Sequence, residues 1–150
     1  MKTIEIMTPD PQCIDPGDTL TQAAVRMKAC NVGILPVCKQ GRLVGVLTDR
    51  DIAIRAVANG LDPDHVTVHT VMSRLIISCF ADQDQEEAAT MMESHHVRRL
   101  PVLDRDERLI GIISLGDLVV RSDNEDRGLK IWEQLSGERD RFRPPARPAR

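Results

Sequence analysis

Two segments of the chain carry residue types that chemistry can use, at the same spacing. Gly45-Val46-Leu47-Thr48-Asp49-Arg50-Asp51 and Gly111-Ile112-Ile113-Ser114-Leu115-Gly116-Asp117 share the pattern glycine, two apolar residues, a hydroxyl, two variable residues and aspartate. An apolar run that ends on Ser or Thr reads as a strand entering a helix N-terminus. Glycine permits close backbone approach, and the helix amides behind the hydroxyl favour an anion. An aspartate one turn in accepts two hydrogen bonds from a vicinal diol such as a ribose. The same residues also spell an ordinary helix cap. Both readings stand at this point, and the duplication weights the first.

Other chemistries are poorly served. No nucleophile–base constellation and no GxxxxGK[ST] loop is present, so catalysis is not expected. Cys13, Cys30, Cys38 and Cys79 show no CxxC spacing, and they read as free thiols of a reducing compartment. His65 and His69, and the adjacent His95 and His96, have no third ligand at a recognisable spacing. No metal and no obligatory cofactor is expected.

The elements that position the two segments come from a repeat. An offset of 65 places Met7 on Met72, Ala23 on Ala88, Met27 on Met92 and Leu35-Pro36-Val37 on Leu100-Pro101-Val102. One extra residue in a polar turn then places Gly45 on Gly111, Thr48 on Ser114 and Asp51 on Asp117. Each copy predicts a helix opened by a polar cap, Thr19 with Gln22 or Asp84 with Glu87. A hairpin follows, turning at Lys39–Arg42 or Asp104–Arg108, and then a second helix. Methionines on the first helix read as core. The boundaries expected are 1–60 for the first repeat with its N-terminal segment, 61–70 for a linker and 71–122 for the second repeat. Residues 123–136 form an extension with a short helix around Trp132, and 137–150 an Arg/Pro tail without regular structure.

The 150 residues carry a net charge of −3 and 2% aromatics, which argues against a nucleic-acid surface. The arginines of the tail offer at most weak, salt-sensitive contacts. No apolar run is long enough to span a bilayer, and the N-terminus lacks a signal peptide's apolar stretch. A cytoplasmic protein without membrane contact is expected.

The ordered pattern of helix, Leu-Pro-Val strand, turn and G-h-h-[S/T]-x-x-D resembles the CBS domain, named from cystathionine β-synthase, in two copies from about Ile6 to Val120. The likeness is greatest to small stand-alone bacterial pairs. It implies an α/β (α+β) fold of two β-α-β-β-α repeats packed as a pseudo-twofold pair, commonly a homodimer. It also implies an adenine-containing ligand, AMP, ADP, ATP or NAD, in the cleft between the repeats, with a regulatory rather than catalytic role. By position, Asp51 and Asp117 hold ribose hydroxyls, and Thr48 and Ser114 face ribose or phosphate. Ile14, Gly33, Ile34 and Pro36 enclose the base in the first copy, as Val97 to Pro101 with Cys79 do in the second. Arg98 and Arg99 stand where the first copy has Gly33 and Ile34. They are the leading phosphate ligands, with Arg50 the candidate in the first copy, and one occupied site is expected. A solvated arginine pair is the alternative. The resemblance also implies that the short strand near Cys13 runs beside the strand holding Cys38, close enough for the thiols to approach, which opens a redox switch as a hypothesis. The competing function is a ligand-free dimerisation module.

Overall fold

The computed structural model describes residues 1–135. These fall into two compact units that do not follow chain order. One gathers Pro11–Ile76 with Glu107–Leu109, and the other gathers Met1–Asp10 with Ile77–Asp106 and the chain from Ile110.

The first unit holds α2 (Leu20–Cys30), β2 (Ile34–Lys39), β3 (Arg42–Thr48), α3 (Asp49–Asp51) and α4 (Val68–Val71). Helix α2 begins where its capping box requires. Gln22 N donates to Thr19 Oγ1 at 3.2 Å and Thr19 N donates to Gln22 Oε1 at 2.8 Å. It ends on Asn31, whose φ of 52° is left-handed. Leu20, Ala23 and Met27 give it one buried face. Strands β2 and β3 pair antiparallel from Ile34↔Thr48 to Lys39↔Arg42. Gln40 and Gly41, both at positive φ, make the tight turn whose twist suits a hairpin. Ile14 bridges Val37 in parallel on one side of this hairpin, and Ser73 bridges Val46 antiparallel on the other. α3 continues as a π turn over Ile52–Ala56 and a 3-10 turn over Val57–Asn59.

The second unit repeats this plan with α1 (Thr3–Ile6), β1 (Thr8–Pro9), β4 (Cys79–Phe80), α5 (Gln85–His95), β5 (Arg99–Leu103), β6 (Leu109–Ser114) and α6 (Leu115–Val120). Its sheet runs β1-β6-β5-β4, with β1 antiparallel to β6 and β4 parallel to β5. Asp84 caps α5 by accepting from Glu86 N at 3.0 Å. The expected partnership with Glu87 does not form, because Gln83 Nε2 takes the Glu87 carboxylate at 2.8 Å.

Two short helices escaped the periodicity argument, since a single turn is too brief to show a face. α1 docks through Thr3 N to Gln83 O and Ile4 N to Ala81 O. α4 docks through the counterpart bonds, Val68 N to Asp18 O and His69 N to Pro16 O. The N-terminal segment, grouped with the first repeat by sequence, therefore packs with the second. The expected linker 61–70 likewise contains the start of α4, whose Val68 is wholly buried. The cause is the sheet edge. Without a side chain at Gly111, Met7 and the Thr8 carbonyl can lie against β6, and Gly45 receives Met72 and the Ser73 carbonyl in the same way.

The second unit alone carries a further helix, α7 (Glu125–Leu135), the short helix expected around Trp132 but begun earlier. At Gly128 α7 packs so closely on α6 that an added Cβ would stand 3.0 Å from the backbone at Leu118 and Val119, and Ile131 enters the core fully buried. Burial of a side chain this size contributes about 1.5–3 kcal/mol. Arg127 fastens α7 to Glu93 of α5 at 2.6 Å. The Arg/Pro tail expected over 137–150 lies outside the described residues.

Candidate functional site

At both strand-to-helix junctions the hydroxyl residue holds nearly the same backbone: φ −111° and ψ 159° at Thr48, φ −112° and ψ 162° at Ser114. Thr48 N donates to Asp51 Oδ2 and Asp51 N donates to Thr48 Oγ1, both at 3.0 Å. At the second junction Ser114 N and Ser114 Oγ both donate to Asp117 Oδ2 at 2.7 Å, and Asp117 N returns a bond to Ser114 Oγ at 3.1 Å. The cap reading of the motif is thus realised in both copies. Only one oxygen of each carboxylate is used by it.

The other oxygen faces an arginine that sequence reasoning missed. Asp51 Oδ1 lies 3.8 Å from Arg55 Nε, and Asp117 Oδ1 lies 3.7 Å from Arg121 Nη1. Each guanidinium also reaches the end of the docked turn, Arg55 Nη1 to Val71 O at 3.1 Å and Arg121 Nη1 to Ile6 O at 3.4 Å. The offset that aligns Gly45 with Gly111 aligns these arginines too, and was the available signal.

A backbone bond closes each junction, Asp49 N to Gly33 O and Leu115 N to Arg98 O, both at 2.9 Å. Beyond that the copies part. In the first, the Asp49 carboxylate lies beside Gly33, where an added Cβ would stand 2.9 Å from Asp49 Oδ2. A groove of about 420 Å³ opens here, lined by Met27, Val32, Gly33, Asp49 and Ile52 among others. Arg50 is exposed, and Ile34 is half-buried opposite Thr48. In the second, Leu115 replaces the carboxylate and is buried. Arg98 turns toward α7: its guanidinium sits 5.8 Å from the Trp132 ring centroid and its Nη2 donates to Leu135 O at 3.2 Å. Arg99 is exposed at the start of β5.

The remaining candidates stand behind the junctions. Ile14, Pro36, Cys79 and Pro101 are buried. Ile14 N donates to Pro36 O at 3.0 Å and Cys79 Sγ to Pro101 O at 3.8 Å, so these residues tie the strands together. Burial holds the Cys79 thiol up at about 12. His65 pairs with Asp62 and His69 with Arg74. Among the described residues no three His, Cys, Asp or Glu side chains gather as a metal site would require, and no helix is long and apolar enough to cross a membrane.

The family model for the CBS domain matches residues 4–57 and 68–123. The CBS domain-containing protein YhcV of Bacillus subtilis is 42% identical over 125 residues, covering 83% of this chain and 88% of that one. Hypoxic response protein 1 of Mycobacterium tuberculosis is 39% identical over 115 residues, 76% of this chain and 80% of that one. A crystal structure of hypoxic response protein I, with two coordinated zinc ions, superposes with a TM-score of 0.73 at 38% identity, over 79% of this chain and 96% of the other. The CBS domain pair of protein MJ0100, in complex with 5-methylthioadenosine and S-adenosyl-L-methionine, superposes with a TM-score of 0.69 at 26% identity, over 79% and 92%.

Proposed function

We propose that this chain, which belongs to the CBS domain family as a tandem pair, is a non-catalytic sensor that takes an adenine nucleotide at the strand-to-helix junction of its second repeat. The observation that carries this is the second junction itself. Asp117 keeps one carboxylate oxygen outside its cap, Leu115 stands where the first copy has an acidic residue, and Arg99 projects from the strand that leads in. A ribose diol suits the spare Asp117 oxygen, and a phosphate suits Arg99. Arg121, beside that oxygen, balances the aspartate's charge when no ligand is there. The adenosine-derived ligands of the MJ0100 pair support the same class. Occupancy acts by favouring one arrangement of a homodimer or partner complex over another, in the cytoplasm.

Isothermal titration with AMP, ATP and NAD tests the reading. At least one should bind, and Arg99→Ala and Asp117→Ala should each weaken it about tenfold, the loss of one charge-assisted contact. Heat signals that stay flat for all three would defeat it. A second reading has its own support: the caps and the Arg98–α7 contact employ these residues with no ligand at all. A ligand-free dimerisation module would then melt at one temperature in every nucleotide.

A further inference from the structure

The first unit holds a pair of thiols that the nucleotide reading leaves without a task. Cys13 Sγ and Cys38 Sγ are 3.1 Å apart, with the Cys38 S–H donating to the Cys13 sulfur. Backbone bonds on both sides fix this proximity. Ile14 N donates to Pro36 O and Cys38 N donates to Ile14 O, each at 3.0 Å, so the chain from Cys13 runs alongside β2 as a parallel bridge. Cys38 stands at an irregularity in the β2–β3 pairing, between Val37 and Cys38, which lets its side chain turn toward the neighbouring segment. The Arg26 guanidinium donates to the Cys13 carbonyl.

The two sulfurs differ in acidity in the sense a dithiol requires. The hydrogen bond from Cys38 holds the Cys13 thiol down at about 7, against the opposing effect of burial and with help from the Arg26 charge. The same contact, burial and the Cys13 charge push the Cys38 thiol well above the ordinary range. Cys13 is therefore the thiolate of the pair and Cys38 the partner that waits. The other two cysteines are placed differently: Cys30 is exposed on α2, and Cys79 is buried in the other unit. The repeat makes the contrast sharper, because the positions equivalent to Cys13 and Cys38 are Ser78 and Leu103. A hydroxyl and an aliphatic side chain serve the second copy at these places, so the scaffold does not need sulfur there.

We propose that Cys13 and Cys38 form a reversible dithiol switch, which a hydroperoxide closes into an intramolecular disulfide that locks the Cys13–Ile14 segment onto β2. In the first step the Cys13 thiolate attacks the O–O bond. The sulfur gains one oxygen as a sulfenic acid and the peroxide leaves as an alcohol, or as water from hydrogen peroxide. In the second, the Cys38 sulfur displaces that oxygen. The S–S bond forms, the oxygen leaves as water with the remaining thiol proton, and two thiols have been oxidised by one peroxide. A small dithiol reverses the closure by exchange, taking up the disulfide itself. Closing the 3.1 Å gap to the roughly 2.0 Å of a disulfide needs side-chain adjustment in a segment whose backbone is already in place.

The test uses the full chain, reduced, desalted and treated with one equivalent of hydrogen peroxide. Free thiols should fall from four to two, the intact mass should drop by two hydrogens, and peptide mapping should join Cys13 to Cys38. Dithiothreitol should restore all four thiols. Cys30→Ser should close as the parent does, whereas Cys38→Ser should stop at a Cys13 sulfenic acid that dimedone traps. Four thiols surviving the peroxide would overturn the proposal, and so would a disulfide that maps to Cys30 or Cys79. No nucleotide enters the experiment, so its outcome is independent of the sensor reading.

Discussion

The two strand-to-helix junctions share a backbone and differ in almost everything a ligand would meet. Thr48 and Ser114 hold nearly the same dihedrals, their aspartates close the same cap, and Arg55 and Arg121 clamp the same spare oxygen. Around that frame the first copy offers Asp49 beside Gly33, and the second offers Leu115, Arg98 and Arg99. A phosphate approaching the first junction meets a carboxylate, and one approaching the second meets an exposed guanidinium. The thiols are divided in the opposite sense: the first unit has Cys13 and Cys38, and the second repeat has Ser78 and Leu103 at the equivalent places. Positions that preserve the fold have stayed alike after duplication, while those at the rim have diverged toward different chemistry.

The strongest way to break this comparison is to attack what the copies share. An added Cβ at Gly111 meets the Met7 sulfur and lies 3.0 Å from the Thr8 carbonyl oxygen; at Gly45 it lies 2.7 Å from Met72 Sδ and 3.0 Å from the Ser73 carbonyl oxygen. A sulfur on a flexible side chain can retreat, but a strand carbonyl cannot without giving up its pairing. Gly111→Val and Gly45→Val should each destabilise the protein by about 2–3 kcal/mol, read from urea unfolding midpoints. Near-equal losses support a common frame. A negligible loss at either glycine would show that the edge segment is not held as described.

Much of that frame was legible in advance. The repeat follows from matching residue types at an offset of 65, and the Thr19 cap, the hairpins and the buried methionines follow from spacing and residue type because each is written within a few neighbouring positions. What was not legible is non-local. Nothing in the run Thr3 to Ile6 says that it will dock on Ala81 and Gln83 rather than on residues near it in the chain. Arg98 was equally opaque, since its role depends on Trp132 and Leu135 arriving from a helix whose length was underestimated. The junction residues pair with one another in caps, and those cap bonds account for much of what drew attention to them.

A smaller effect sharpens the difference within the caps. Ser114 shares three short hydrogen bonds with Asp117, against two between Thr48 and Asp51. The helix that follows is also regular in the second copy and passes into a π turn in the first. Ser114→Ala should therefore cost about 1–2 kcal/mol and Thr48→Ala about 0.5–1 kcal/mol, within the usual range for a lost N-cap. Equal losses would mean that the hydroxyl's own bond to Asp117 contributes nothing measurable.

The smallest effect separates two adjacent arginines. Trp132 is the sole tryptophan, so its fluorescence reports on α7 alone. Arg98 packs over that ring and donates to Leu135 O, whereas the neighbouring Arg99 is exposed. Removing the Arg98 side chain should cost about 0.5–1 kcal/mol, the scale of one partly exposed cation–π contact. It should also shift Trp132 emission to longer wavelength as water replaces the guanidinium. Arg99→Ala should leave both stability and emission unchanged. If the two variants exchanged their effects, Arg99 would be the arginine that supports α7, and the phosphate contact proposed for the second junction would move back by one residue along the chain.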